Sequence, residues 1–308
     1  MYGVNGKHFA DLYRNKISGY DQWWVDELSL GFYFNADNIG PYMSLDETFL
    51  SNGEIWTFLT NKDGHAGKGT LAAAIPGTKS DEIISILTAA MGKSVRRRVK
   101  EVTCDLSPSM MLIAEEVFYN AYVVNDRFHV QQVYNEAVDE IRIDIRRQLI
   151  AEENNRDKSL TPPTYSNGET MRQILARSKH TLMMSQNKWS DLQRHRINIL
   201  FKHYPILKSA YNLAMELRSI FNAKIPPTKA MGRMNRWYEK VMALGNNNFR
   251  SVIKTFKNHA PTILNYFRRR ATNASAEAFN SKVKIFRSQM RGVRDRDFFI
   301  FRLVKLYA

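Results

Sequence analysis

Three aspartates and one glutamate stand where a basic chain can use them for chemistry. Asp46 lies in MSLDETFL, Asp105 ends VTCD, Asp126 ends AYVVND and Glu277 sits in TNASAEAFNSKVK. The aspartates fall in or at the end of runs rich in strand formers, and α/β sheets bind their ligands at the C-terminal ends of strands. Carboxylates held side by side repel unless a cation sits between them. Mg²⁺ (or Mn²⁺) is the natural occupant, because it prefers hard oxygen ligands and keeps waters and phosphate in its shell. Two such ions about 3.5–4 Å apart would activate a water or a 3′-hydroxyl and stabilise the leaving oxygen. The same aspartates also read as strand-end caps or turn residues. Asn273, Glu277, Asn280 and Lys284 follow one another at helical spacing, opposite Phe279, Val283 and Phe286. That stripe reads either as a solvent face or as the side of a packed helix that brings Glu277 to a sheet end.

The elements that must position these groups follow from periodicity. Residues 1–40 form a helical lead-in carrying Trp23, Trp24, Phe32, Tyr33 and Phe34. MSLDETFL and EIWTFLTNKD read as two strands around Ser-Asn-Gly, with Gly53 freeing the turn. The glycine-rich residues 63–69 connect to a third strand, GTLAAAIPG; they lack the phosphate-loop spacing. SDEIISILTAAMG is an amphipathic helix with Ser80 placed as cap and Gly92 after its end. RRRVKEVTCD is a fourth strand closed by Asp105. SPSMMLIAEEVFYN is a helix with Ser107 as cap and Pro108 in first position. AYVVND is a fifth strand, and a long helix starts at Arg127.

Three hairpin-linked strands followed by two strands with a helical crossover predict a mixed sheet whose last two strands are parallel. The fold class is therefore α/β, with a ribonuclease-H-like mixed five-stranded sheet. In that pattern the first and fourth strands are neighbours, which sets Asp46 against Asp105. Residues 151–167 read as a polar loop and 168–270 as almost wholly helical, broken at Pro205, Pro226-Pro227 and Gly245. A last helix is expected from near Asn273 to about Met290. The predicted organisation is a lead-in (1–40), the first part of the core (41–150), a large helical insertion (151–270) and a C-terminal helix closing the core (271–308).

Composition narrows the function classes. The chain has 308 residues, 44% of them apolar, which is enough for a real core. No apolar run approaches the ~18 residues of a membrane span, and the first residues lack a secretory h-region. The single cysteine, Cys104, excludes an internal disulfide framework and cysteine-based structural zinc. The expected setting is a reducing, cytoplasmic one. The net charge of +15 and the clusters Arg96-Arg97-Arg98, Arg142/Arg146/Arg147, Arg268-Arg269-Arg270 and Lys282/Lys284/Arg287/Arg291/Arg294/Arg296 point to a polyanionic partner. Any single cluster is equally well a solvated face.

Four segments carry a family resemblance: MSLDETFLSNGEIWTFLTNK, VTCDLSPSM, VNDRFHVQQVYNEAVDEIR, and TNASAEAFNSKVK with RGVRDRDFFIFRL. In this order, over roughly 41–305, they resemble the DDE transposases of bacterial insertion sequences, in particular the ISL-three-type catalytic domain and its ISAon-one-type relatives. The resemblance implies a ribonuclease-H-like core in which Asp46, Asp105 and Glu277 bind two divalent ions. Such a site hydrolyses a phosphodiester at the element end, and the freed 3′-hydroxyl then attacks target DNA. The Asp126-Arg127-Phe128-His129 run matches the family's DRFH signature. Arg127 is then a phosphate contact and His129 a contact to the scissile phosphate or a flipped base, unless His129 merely packs the start of its helix. Asn273, Asn280, Lys284 and Arg287 become candidate DNA contacts beside Glu277. Larger members carry an N-terminal cysteine-rich zinc module and a helix-turn-helix, absent before Asp46 here. The implied partners are transposon-end and target DNA, a second copy of the chain on that DNA, and a separately encoded DNA-binding protein, within the bacterial cytoplasm or nucleoid. Two other readings compete: a ribonuclease-H-like nuclease or resolvase without strand transfer, and a non-catalytic DNA-binding protein.

Overall fold

The structure, a computed structural model, describes residues 5–28, 30–50, 53–155, 161–290 and 295–308. Ser51 and Asn52 of the expected turn, residues 156–160 of the expected loop, and Arg291 and Arg294 lie outside the described residues. The chain divides into two compact units, one made of Met1–Asp126 with Ala271–Ala308, the other of Arg127–Arg270.

The first unit is built on a mixed sheet. Its strands are β1 (Tyr33–Phe34), β2 (Tyr42–Phe49), β3 (Ile55–Asn61), β4 (Leu71–Pro76), β5 (Glu101–Cys104) and β6 (Tyr122–Asn125). They lie in the order β1-β4-β3-β2-β5-β6. β2, β3 and β4 pair antiparallel, while β2–β5 and β5–β6 are parallel. This is consistent with a ribonuclease-H-like sheet, with one change. The expected five strands are six, because β1 pairs antiparallel with β4 and occupies an edge that would otherwise present unpaired backbone groups. It comes from the segment read as a helical lead-in.

Gly53 takes φ +76°, the left-handed conformation that favours glycine, and Leu50 N–H donates to Glu54 O at 2.7 Å across that turn. β3 and β4 are buried almost throughout, as strands covered on both faces must be. One face packs on the helices Ser80–Ala90 and Pro108–Val117 through Met43, Leu45, Ile83, Leu87, Val102 and Ile113. The other carries Trp56, Phe58 and Leu71 against Phe279, Val283 and Phe299 from the C-terminal helices Ala274–Gln289 and Arg296–Tyr307. The second of these helices lies beyond the expected last one; Asp295 caps it by accepting from Phe298 N–H at 2.9 Å. The N-terminal aromatics dock on it: Trp23 and Tyr20 lie 5.1 and 5.4 Å from the Phe301 ring, and Arg14 pairs with Asp295.

Local readings need three corrections. The basic run before β5 is a short helix, Lys93–Arg98, begun at Gly92; its three arginines sit in the last turn, where the helix dipole favours cations. Ser80 is the first helical residue rather than the cap, which falls on Lys79. Ser107 does occupy the cap position before Pro108, but its hydroxyl meets Ser109 Oγ at 3.0 Å instead of a backbone N–H.

The second unit is helical, opening with the long helix Arg127–Asn154. The expected breaks act as helix starts: Pro205 and Pro227 each open a helix, and Asn246 caps Asn247–Asn258. Its core includes Tyr134, Tyr211, Trp237, Phe249 and Phe256. Among the described residues of the chain, no helix is long and apolar enough to cross a membrane.

Candidate active site

Alternation along β2 sorts its side chains onto two faces. Met43 and Leu45 point into the core beneath the crossover helices, and Glu47 shares their parity. Ser44, Asp46 and Thr48 take the opposite face, where the helix Ala274–Gln289 lies. Asn280 Nδ2 on that helix donates to Asp46 Oδ2 at 2.7 Å, and the Glu47 N–H donates to Asp46 Oδ1 at 2.9 Å. Nearer the start of β2, Ser44 Oγ lies 2.8 Å from Thr103 Oγ1, which donates to Asn273 Oδ1 at 3.3 Å. Ser44, Thr103 and Asn273 are all fully buried.

Register sets the aspartates. Ser44 is level with Thr103, and Cys104 is level with Asn125. Continued past the last paired residues, the same registers bring Asp46 level with Asp105, and Asp105 level with Asp126. Adjacent strands lie about 4.8 Å apart, so three aspartates follow one another across neighbouring parallel strands, Asp46 within β2 and Asp105 and Asp126 just past the ends of β5 and β6. Asp46 and Asp105 are half-buried, whereas Asp126 is fully buried. The electrostatics agree. Burial first, then the charges of Asp105, Glu115 and Asp46, push the Cys104 thiol well above its ordinary range. Both aspartates therefore act on the end of β5, and Cys104 is an inert core thiol rather than a nucleophile.

Glu277 lies in the first turn of the Ala274–Gln289 helix, where the dipole favours an acid. It comes four residues after Asn273 and three before Asn280, so it shares their side of the helix. Unlike them, it is exposed. Among the described residues, no three His, Cys, Asp or Glu side chains form a group that could hold a metal ion. Register brings Asp46 and Asp105 together; Glu277 does not close a three-carboxylate group with them.

The remaining candidates fall in different settings. Lys284 is exposed. Arg287 is turned inward, its guanidinium over the Phe299 ring at 5.0 Å and 3.5 Å from Glu54, so it presents no cation to solvent here. Arg127 and His129 open the helical unit, both half-buried. Arg127 donates to Asn222 Oδ1 at 2.8 Å and stacks over Phe128 at 4.7 Å. Of the basic clusters, Arg142 is also internal, held by Asp139 at 2.6 Å and by Leu175 O at 3.0 Å.

Sequence reasoning passed over Glu47. Burial, and then the charge of Asp105, raise its carboxyl above the ordinary range. Its position next to Asp46 was the available signal, but alternation sends the two to opposite faces and hid the link to Asp105. A raised folded-state pKa means that Glu47 supports the fold when protonated, and that this support is lost as pH rises through the folded value. Glu47→Gln should therefore raise the melting temperature at pH 7. The gain should vanish below about pH 4, near the ordinary glutamate value. Equal melting temperatures at pH 7 would show that Asp105 and burial do not act on this carboxyl.

A mixed α/β sheet with neighbouring aspartates on adjacent parallel strands, in a chain of charge +15, has the outline of the transposase class. The model of the ISL3 DDE transposase family, described as Transposase, matches residues 43–303, and the chain belongs to that family. Comparison with curated proteins and with solved structures yields no match.

Proposed function

We propose that this transposase-family chain cleaves phosphodiester bonds at transposon ends in a divalent-metal-dependent reaction and joins the freed ends to target DNA. What supports the reading is the β2–β5 register, in which Ser44 is level with Thr103; carried on by two residues, it sets Asp46, within β2, level with Asp105, just past the end of β5. Mg²⁺ usually binds through one or two carboxylates and completes its shell with waters and substrate phosphates. Asp46 and Asp105 fit that donor set without a third protein ligand, and Glu277 is the carboxylate that would join once DNA is bound. When present, such ions supply charge neutralisation at the attacking and leaving oxygens.

The chain's own residues supply positioning. Asp46 is fixed by two donors, Asp105 is carried on a strand end, and Glu277 rides on a helix anchored by Asn273. Lys284, Arg127 and His129 are the proposed DNA contacts. The helical unit, Arg127–Arg270, joins the expected insertion 151–270 with the long helix before it, and is proposed as an insertion within a ribonuclease-H-like core. A second copy on paired ends follows from the reaction, and a separately encoded DNA-binding protein is a further proposed partner.

The test is a reaction of the purified chain with DNA bearing the element's ends, a target plasmid and Mg²⁺ or Mn²⁺. Cut ends joined to target support the proposal. Ends cut but never joined favour a nuclease or resolvase, and binding without cutting favours a DNA-binding protein.

DNA affinity in EDTA should fall steeply between 50 and 200 mM salt, with a log–log slope of about −0.9 per phosphate neutralised. Titration by fluorescence anisotropy measures it, and a flat response would remove the electrostatic basis of the DNA reading.

A further inference from the structure

We infer that Asn280 is a positioning residue that sets the orientation of the Asp46 carboxylate for a divalent cation, rather than a contact to DNA. The inference rests on the metal-dependent reading above.

Asn280 is 7% exposed, and its amide nitrogen donates to Asp46 Oδ2 at 2.7 Å. An ionised carboxylate only accepts, so the amide must turn its NH₂ toward Asp46. The reverse orientation would set oxygen against oxygen. That choice leaves Asn280 Oδ1 buried with no hydrogen-bond partner among the described residues. A buried acceptor left unmatched is a cost; here it accompanies the bond to Asp46. With the Glu47 N–H on Oδ1, the two donors hold both oxygens and fix the carboxylate plane.

The helix that carries Asn280 is itself held in place. Phe279 packs edge-on to Phe58 and Tyr307, with ring centroids 5.4 and 5.3 Å away. Asn273, at the start of the helix, is bonded to Thr103 on β5. Asn280 therefore ties a rigid helix to the strand residue beside Asp105. Groups that hydrogen-bond a metal-ligating carboxylate set its direction, and their loss typically weakens metal binding or activity by about 10–100-fold. A DNA contact needs an exposed polar group, which Asn280 does not offer.

The experiment measures Mn²⁺ binding to the full chain by the electron paramagnetic resonance of free Mn²⁺, and DNA binding in EDTA, for wild type, Asp46→Ala, Asn280→Leu and Asn280→Ser. Leu keeps the volume and removes the donor. Ser leaves a hydroxyl too short to reach Asp46, and it serves if the Leu variant does not fold. The expected result is a loss of Mn²⁺ affinity of about 10–100-fold in either Asn280 variant, with metal-free DNA affinity unchanged. Wild-type Mn²⁺ affinity in the Asn280 variants, when Asp46→Ala has lost it, overturns the inference and leaves the metal reading standing. A fall in DNA affinity with Mn²⁺ binding unchanged makes Asn280 a DNA contact instead. Unchanged Mn²⁺ binding in Asp46→Ala overturns the metal reading, and this inference with it.

Discussion

Asp105→Asn will lower metal-dependent DNA cleavage by about a thousandfold or more, while metal-free DNA binding stays at wild-type strength or tightens slightly. A divalent ion held at Asp105 would supply charge neutralisation worth several kcal/mol of such a barrier, and each 1.36 kcal/mol is tenfold in rate. The substitution keeps the side chain's shape, so the register of β5 between β2 and β6 should survive. It removes one negative charge from a surface that must approach phosphates, hence the direction of the binding change. It also removes the charge that raises the Glu47 carboxyl, so Glu47→Gln should stabilise the Asp105→Asn background less than wild type. A gel assay of end cleavage against Mg²⁺ concentration decides the matter. Cleavage by Asp105→Asn at the wild-type rate would remove Asp105 from the site.

The second large effect belongs to the helical unit. Glu169 is 7% exposed and accepts from Arg196 Nη2 at 2.7 Å, Arg196 Nε at 2.8 Å and Arg177 Nη1 at 2.5 Å. The Arg196 hydrogen bonds come first, and with Arg177 they overcome the opposing effect of burial and hold its carboxyl down at about 2. A depressed folded-state pKa contributes stability that is present above the unfolded value and lost as pH falls through the folded one. The window therefore runs from about pH 4.5 down to about pH 2, with the full contribution present at neutral pH. Glu169→Ala strands Arg196, itself 7% exposed, as an uncompensated charge. Breaking one partner of a buried pair costs about 3–5 kcal/mol, on the order of 10 °C in the melting of a unit this size. Calorimetry at pH 7 and pH 3 checks both size and sign. A shift at pH 7 of under about 1 °C would show the cluster to be a surface pair in effect.

What was legible in the sequence was the part governed by local pattern. The period-two runs with Gly53 between them are the hairpin β2–β3, and the two helical crossovers are the reason β2, β5 and β6 run parallel. That topology alone places Asp46 beside Asp105. Features set by distant partners were not legible. β1 exists because β4 offers an edge, and a two-residue strand has no period to detect. The run before β5 has too few residues to show its helix. Arg287 and Arg142 read as members of basic stripes, yet both are buried, and Arg287 finds Glu54 across 233 residues of chain. The stripe through Asn273, Glu277, Asn280 and Lys284 is real, but spacing does not reveal which members face the sheet. The rotation of that helix, fixed by Phe279 on Phe58, buries the asparagines and leaves the glutamate outside.

The first unit's second apolar face is completed by a segment made after the helical unit. Trp56, Phe58 and Leu71 are covered by Phe279, Val283 and Phe299, and the helical unit lies between them in the chain. At about 5–20 residues per second, a ribosome needs roughly 7–30 s to cross Arg127–Arg270. Throughout that interval the nascent sheet has its crossover helices but not its C-terminal cover, and Asp46 lacks Asn280. A chain released before residue 274 would carry both aspartates on a sheet with one apolar face bare. Such a product is a target for chaperones and proteases rather than an enzyme. The order of synthesis thus sets the order of assembly: both aspartates emerge first, and the helix that orients Asp46 arrives only after the whole helical unit has been made.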